Sequence, residues 1–252
     1  MPLPRISTPT YELELPSTEE TIQYRPFLVK EEKLLVIALE SEDTKQITNA
    51  IKTVIKNCII TKNIKVETLP TFDIEFLFLN IRGKSVGEEL EVNIICPDDG
   101  ETQVPVTINL DDIKVQKNEN HEKKIKIDNS VMMEMKYPSL DQFIKNNFDF
   151  EGKNAMDQSF DLIASCIDKI YTEDEVWSTS DVTKKELTEF LESMNSSQFK
   201  DIEKFFETMP KLSHTIKVKN PKTEVESEVA LEGLASFFAS EWSIWILRII
   251  FV

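Results

Sequence analysis

The sequence predicts an α+β fold in which helical layers carry several small antiparallel β-hairpins. Two observations carry that expectation. Paired runs with a period of two flank turn residues near both ends of the chain and around residue 100, and the segments between them repeat apolar residues every three or four positions. With 252 residues the chain can bury one large core or two modest ones. A division near residue 137 is expected: a hairpin-helices-hairpin part over 1–137, and a helical part with a C-terminal hairpin and an apolar tail over 138–252.

Each element has a local reason. Tyr11, Leu13 and Leu15 alternate with polar residues, Pro16-Ser17-Thr18 supplies a turn, and Ile22 and Tyr24 resume the alternation until Pro26 stops it. Leu34, Leu35, Ile37, Ala38 and Leu39 then form an apolar patch between charged flanks, which reads as a helix with one buried side. Ile47, Ala50, Ile51, Val54, Ile55 and Cys58 lie on a single helical stripe, so Cys58 is expected to be a core thiol. A third helix, from Thr71 to Gly83, is apolar nearly all round and suits the centre of an N-terminal helical layer.

From Leu90 the period changes to two. Leu90, Val92 and Ile94 precede a turn at Cys96-Pro97-Asp98-Asp99-Gly100-Glu101, and Val104, Val106, Ile108 and Leu110 follow it. Lys114 to Ser130 reads as a polar loop, with short strands around Ile125-Lys126-Ile127 and Val131 to Met135. A helix start is expected at Ser139-Leu140-Asp141-Gln142-Phe143, and a helix over 154–171 from Met156, Phe160, Ile163, Ile167 and Ile170, with Cys166 in the core. Thr172-Glu173-Asp174-Glu175 is a solvated connector. Thr183 and Glu186 have the spacing of a capping box, another helix follows Ser196-Ser197, and His214 to Lys219 and Glu224 to Leu231 form a last hairpin around Asn220-Pro221-Lys222-Thr223.

Charge and motif content narrow the chemistry. The 45 acidic and 29 basic residues give a net charge of -16, which opposes binding to nucleic acid. Cys58, Cys96 and Cys166 are far apart and are expected to be free thiols in a reducing compartment. The N-terminus lacks the order of a signal peptide, and no apolar run is long enough for a membrane span, so a cytoplasmic location is expected. The two later hairpin tips have the layout of zinc-ribbon knuckles, but one keeps only Cys96 and the other has no thiol, so no metal is expected. His121 and His214 are solitary, Gly-x-Ser-x-Gly is absent, and five glycines build no phosphate loop, so neither catalysis nor a cofactor is expected.

The hairpin, Tyr24-Arg25-Pro26-Phe27-Leu28-Val29-Lys30-Glu31-Glu32 and the helix after it resemble the start of the base plate protein family of T-even-type tailed bacteriophages. Near the other end, a strand-turn-strand leading into Leu231-Glu232-Gly233-Leu234 and Phe237-Phe238 resembles the same family. The resemblance covers residues 9–110 and 213–238. It implies a baseplate hub subunit or hub assembly factor that binds other hub and tail proteins, in the host cytoplasm during assembly or in the virion tail.

Two stretches are candidate partner contacts. Tyr24, Arg25 and Phe27 are residue types enriched at interfaces, although Tyr24 and Phe27 would equally join the hairpin to the first helix. The tail carries Trp242, Trp245, Ile246, Ile249 and Phe251, which suit either burial in the chain's own fold or insertion into a partner or a membrane surface. A peripheral membrane adaptor using that tail, and a small enzyme with an unrecognised carboxylate site, stay open as alternatives. The two tips, Cys96-Pro97 and Asn220-Pro221, also echo each other, as one duplicated unit would.

Overall fold

The computed structural model describes residues 6–41, 43–140, 142 and 155–233. Among these residues the elements run β1 (Tyr11–Glu14), β2 (Thr21–Tyr24), α1 (Val29–Glu40), α2 (Thr44–Cys58), α3 (Thr71–Val86), β3 (Glu89–Ile95), β4 (Gln103–Asn109), β5 (Lys114–Gln116), β6 (Lys124–Lys126) and β7 (Met132–Met135). They continue with α4 (Ala155–Ser165), β8 (Ile167–Tyr171), β9 (Val176–Ser178), α5 (Lys184–Glu192), α6 (Ser196–Thr208), β10 (Lys211–Lys219) and β11 (Glu226–Glu232). The fold is α+β: helices with small antiparallel sheets of two to four strands.

The chain divides into two compact units, and neither is a single stretch of sequence. The first takes the described residues up to Val66, Phe72–Gln116 and those from Lys211 onward; the second takes Glu67–Thr71 and Lys117–Pro210. This differs from the expected cut near residue 137. The reason is strand pairing: β10 takes β5 as a partner, with Lys211 opposite Gln116 and Ser213 opposite Lys114, so the last hairpin joins the unit that the first segments build.

In the first unit, β1 pairs with β2, β3 with β4, and β10 lies between β11 and β5. Asp43 caps α2 by accepting from the Lys45 and Gln46 N–H groups, and the stripe ending in Cys58 faces inward as its spacing requires. The apolar α3 is central, with Phe72, Ile74, Leu77, Phe78, Leu79 and Ile81 all buried. Its buried Asp73 accepts from the Ser17 N–H at 3.1 Å and from the Ser17 hydroxyl, which fixes the β1–β2 turn to the helix. Gly83 lets Leu110 approach: a Cβ there would stand 3.1 Å from the Leu110 Cδ1 atom.

The second unit is built on a four-stranded sheet in the order β6-β7-β8-β9, with α4, α5 and α6 supplying apolar faces to its core. Met133, Met135, Ile163, Cys166, Ile167 and Phe205 lie at the centre of that core. The helix expected over 154–171 ends at Ser165, and Ile167–Tyr171 is a strand paired on both sides. Ile167 and Ile170 are three apart, which fits a helix, but β-branched residues that gain two strand neighbours satisfy their backbone in a sheet instead. Of the helix start expected at Ser139–Phe143, Asp141 and Phe143 lie outside the described residues, while Leu140 and Gln142 are helical and Ser139 and Gln142 bond reciprocally through side chain and backbone. Thr183 and Glu186 form the capping box of α5, and Asn195 with Gln198 forms that of α6.

Candidate partner-binding site

Tyr24, Arg25 and Phe27 lie at the joint between β2 and α1. Tyr24 and Phe27 are buried, and Tyr24 makes an isolated antiparallel bridge with Ile59 just past α2. The Arg25 guanidinium donates to the Glu31 carboxylate at 3.0 Å, to the Asn57 carbonyl at 3.0 Å and to the Pro26 carbonyl at 2.8 Å. Glu31 in turn accepts the Leu28 N–H at 2.9 Å, which satisfies one donor at the start of α1. Burial raises the Glu31 carboxyl, but the Arg25 hydrogen bond, the Leu28 N–H and the charges of Arg25 and Lys30 together hold it below its ordinary value. These side chains tie the hairpin to two helices, which is the joining role that the sequence allows beside a docking one.

Trp242, Trp245, Ile246, Ile249 and Phe251 lie outside the described residues.

A surface missed from the sequence lies on the second unit. Val131, Ile170, Trp177, Val182, Leu187 and Phe190 line a groove of about 300 Å³, with Thr172 and Glu186 at its polar margin. β9 supplies the outer wall, because it is the last strand of the sheet and pairs with β8 alone among the described strands. Trp177 is 37 % exposed and its neighbour Val176 is 64 % exposed, so a large aromatic side and a β-branched side both face solvent at a sheet edge.

The rim is acidic. Thr172-Glu173-Asp174-Glu175 forms the tight turn between β8 and β9, closed by the Thr172 N–H donating to the Glu175 carbonyl at 2.9 Å, and its three acidic residues are exposed. Glu186 accepts from the Thr183 N–H and hydroxyl, each at 2.7 Å, and these bonds keep its carboxyl below the usual range and therefore charged. Apolar side chains with the charged Glu186 among them can hold an apolar anchor that carries a neighbouring Lys or Arg. The sequence did offer a signal: Val176-Trp177 directly after an acidic turn is a β-branched and aromatic pair, the start of a short strand.

The remaining reactive groups are sequestered. All three thiols are free and buried. Burial pushes Cys58 up to about 11 and Cys166 up to about 12, which suppresses the reactive thiolate. His121 packs in a three-ring cluster with Tyr137 and Phe205, whose ring centroids lie 5.5 Å and 5.1 Å from its own and 5.8 Å from each other. Its Nδ1 is 3.0 Å from the Thr208 hydroxyl, while Nε2 is buried and has no hydrogen-bond partner among the described residues. The Thr208 hydroxyl donates to the Lys204 carbonyl, so this pair lacks both a freed nucleophile and a group to orient the base. Among the described residues no group of three or more His, Cys, Asp or Glu side chains is placed to hold a metal ion. No helix among them is long and apolar enough to cross a membrane.

A family model described as T4 bacteriophage base plate protein matches residues 8–239. Comparison with curated proteins and with solved structures gave no match.

Proposed function

Because the chain belongs to the T4 bacteriophage base plate protein family, we propose that it acts in the hub of the tail baseplate, as a hub subunit or hub assembly factor, through protein contacts and without catalysis. The observation that carries this reading is the family match over residues 8–239, most of the chain. The groove beside Trp177 supports a contact role, and Glu186 in its lining with the acidic turn before β9 favours one occupant: an apolar side chain flanked by Lys or Arg on another baseplate protein. The net charge of -16 favours such a partner over nucleic acid. The buried thiols and the buried His121, whose Nε2 has no hydrogen-bond partner among the described residues, favour a role without catalysis.

The apolar tail with Trp242, Trp245, Ile246, Ile249 and Phe251 is a second anchor for hub and tail proteins in this reading. Removing residues 242–252 is expected to lower recovery of those partners without moving the thermal midpoint. A midpoint many degrees lower would make the tail part of the chain's own core.

Assembly takes place in the host cytoplasm, and a hub subunit then remains in the virion tail. Mass spectrometry of purified particles beside infected-cell lysate separates the two roles. A hub subunit is found in both samples, and an assembly factor only in the lysate.

A further inference from the structure

Two hairpin tips of the first unit share the local structure of their first five residues, although one closes on its seventh residue and the other on its sixth. In the β3–β4 tip the Cys96 N–H donates to the Thr102 carbonyl at 2.8 Å, the Gly100 N–H donates to the Cys96 carbonyl at 2.9 Å, and Gly100 holds φ at 68°. In the β10–β11 tip the Asn220 N–H donates to the Val225 carbonyl at 2.9 Å, the Glu224 N–H donates to the Asn220 carbonyl at 2.9 Å, and Glu224 holds φ at 63°. Each tip has a proline second and a left-handed residue fifth. The fourth residues also correspond: Asp99 accepts from the Glu101 N–H at 3.0 Å, and Thr223 from the Val225 N–H at 3.4 Å. Gly100 takes the left-handed region at no steric cost, whereas Glu224 is a non-glycine residue held there, which is uncommon and points to a shared frame imposed on the second tip.

The tips meet. Asn220 is fully buried, and its amide nitrogen donates to both Asp98 oxygens at 3.1 and 3.0 Å and to Asp99 Oδ2 at 2.9 Å. The Thr223 hydroxyl donates to the second Asp98 oxygen. Cys96 is buried beside them, and after burial itself the Asp98 and Asp99 charges push its thiol up.

Two facing tips that each offer side chains three residues apart are the frame of a four-ligand zinc site. Here those positions are Cys96 with Asp99 and Asn220 with Thr223. The amide nitrogen brings only donor hydrogens and has no lone pair to give a metal, so the neutral Asn220 meets the carboxylates with N–H donors where a site of this frame would hold a cation. We infer that the paired tips are the metal-free form of a two-knuckle, four-ligand site, with the Asn220 amide and Thr223 hydroxyl bridging in place of the ion. The network holds the β3–β4 hairpin to the β10–β11 hairpin across more than a hundred residues of sequence, as a zinc site does in small domains.

The test is the full chain carrying Asp99→Cys, Asn220→Cys and Thr223→Cys beside the native Cys96, titrated with cobalt(II) and zinc(II). One ion per chain is expected, with the strong visible absorption of tetrahedral cobalt thiolate, its displacement by zinc, and a thermal midpoint raised by zinc by at least about 4 °C. The unaltered chain is expected to show none of these. A folded triple variant without that spectrum overturns the inference, and so does one that stays unfolded in zinc. A second arm uses no metal: Asp98→Ala and Asn220→Ala are expected to be coupled by about tenfold in the unfolding constant. Purely additive effects would show that the tips do not hold each other.

Discussion

The Arg25 guanidinium lies 3.0 Å from the Glu31 carboxylate, whose side chain is 1 % exposed, and this pair closes the joint between the first hairpin and the first helix. Arg25 also reaches the Asn57 carbonyl at the end of α2, so one side chain ties together three segments of the first unit. Glu31→Ala would leave a part-buried guanidinium without its carboxylate, and the expected loss of stability in urea unfolding is about 3 kcal/mol. A loss under about 1 kcal/mol would place the pair with exposed ion pairs, which contribute little.

The same pair sets an acid limb. Because the folded Glu31 carboxyl lies below its ordinary value, its contribution is present above the unfolded value of about 4.3 and is lost as pH falls through the folded one. Glu31→Gln is therefore expected to lower stability at neutral pH and to flatten the decline below about pH 4.3. An unchanged acid slope would contradict the assignment.

His121 gives the second unit a separate dependence on pH. Burial, and then the nearby Lys123 charge, lower its pKa, so the unfolded state takes up a proton before the folded state does. Stability is full above the unfolded value of about 6.5 and declines as pH falls below it toward the folded value. His121→Phe keeps a ring packed against Tyr137 and Phe205 and removes the titration. Its denaturation midpoint is expected to change less between about pH 7.5 and 5.5 than that of the unaltered chain; an equal change would refute a role for this ring.

Trp177 is expected to matter to association and hardly to folding, because it lines the groove while more than a third of it faces solvent. Trp177→Ala should leave the thermal midpoint within a few degrees and weaken partner binding about thirtyfold, as loss of an aromatic anchor does. Charge reversal at Glu173 and Asp174 should weaken binding more at low salt than at high salt. Binding that survives both changes would move the contact elsewhere.

Much of this architecture was legible in the sequence because its signals are local. The hairpin of Tyr11–Glu14 with Thr21–Tyr24, the α2 stripe ending in Cys58 and the Thr183–Glu186 capping box each depend on residues close in sequence. By its spacing alone Ile167–Tyr171 continues the preceding helix, because a spacing of three suits both states, and only its two strand neighbours decide between them. The pairing of Lys114–Gln116 with Lys211–Ser213 joins residues almost a hundred positions apart, and periodicity carries no information about such a partner. For the same reason the groove stayed hidden: Val131, Trp177 and Phe190 come from separate elements and meet only in the folded sheet. Arg25 showed its residue type but not its partners, since Glu31 and the Asn57 carbonyl come to it only when the helices pack.

The most direct test of a hub role is recovery of partners from infected cells. Affinity-tagged protein captured during infection at moderate salt, followed by mass spectrometry of what accompanies it, is expected to yield other baseplate hub and tail proteins, with recovery reduced by Trp177→Ala. Recovery of nucleic acid without tail proteins, lost steeply as salt rises, would contradict the account.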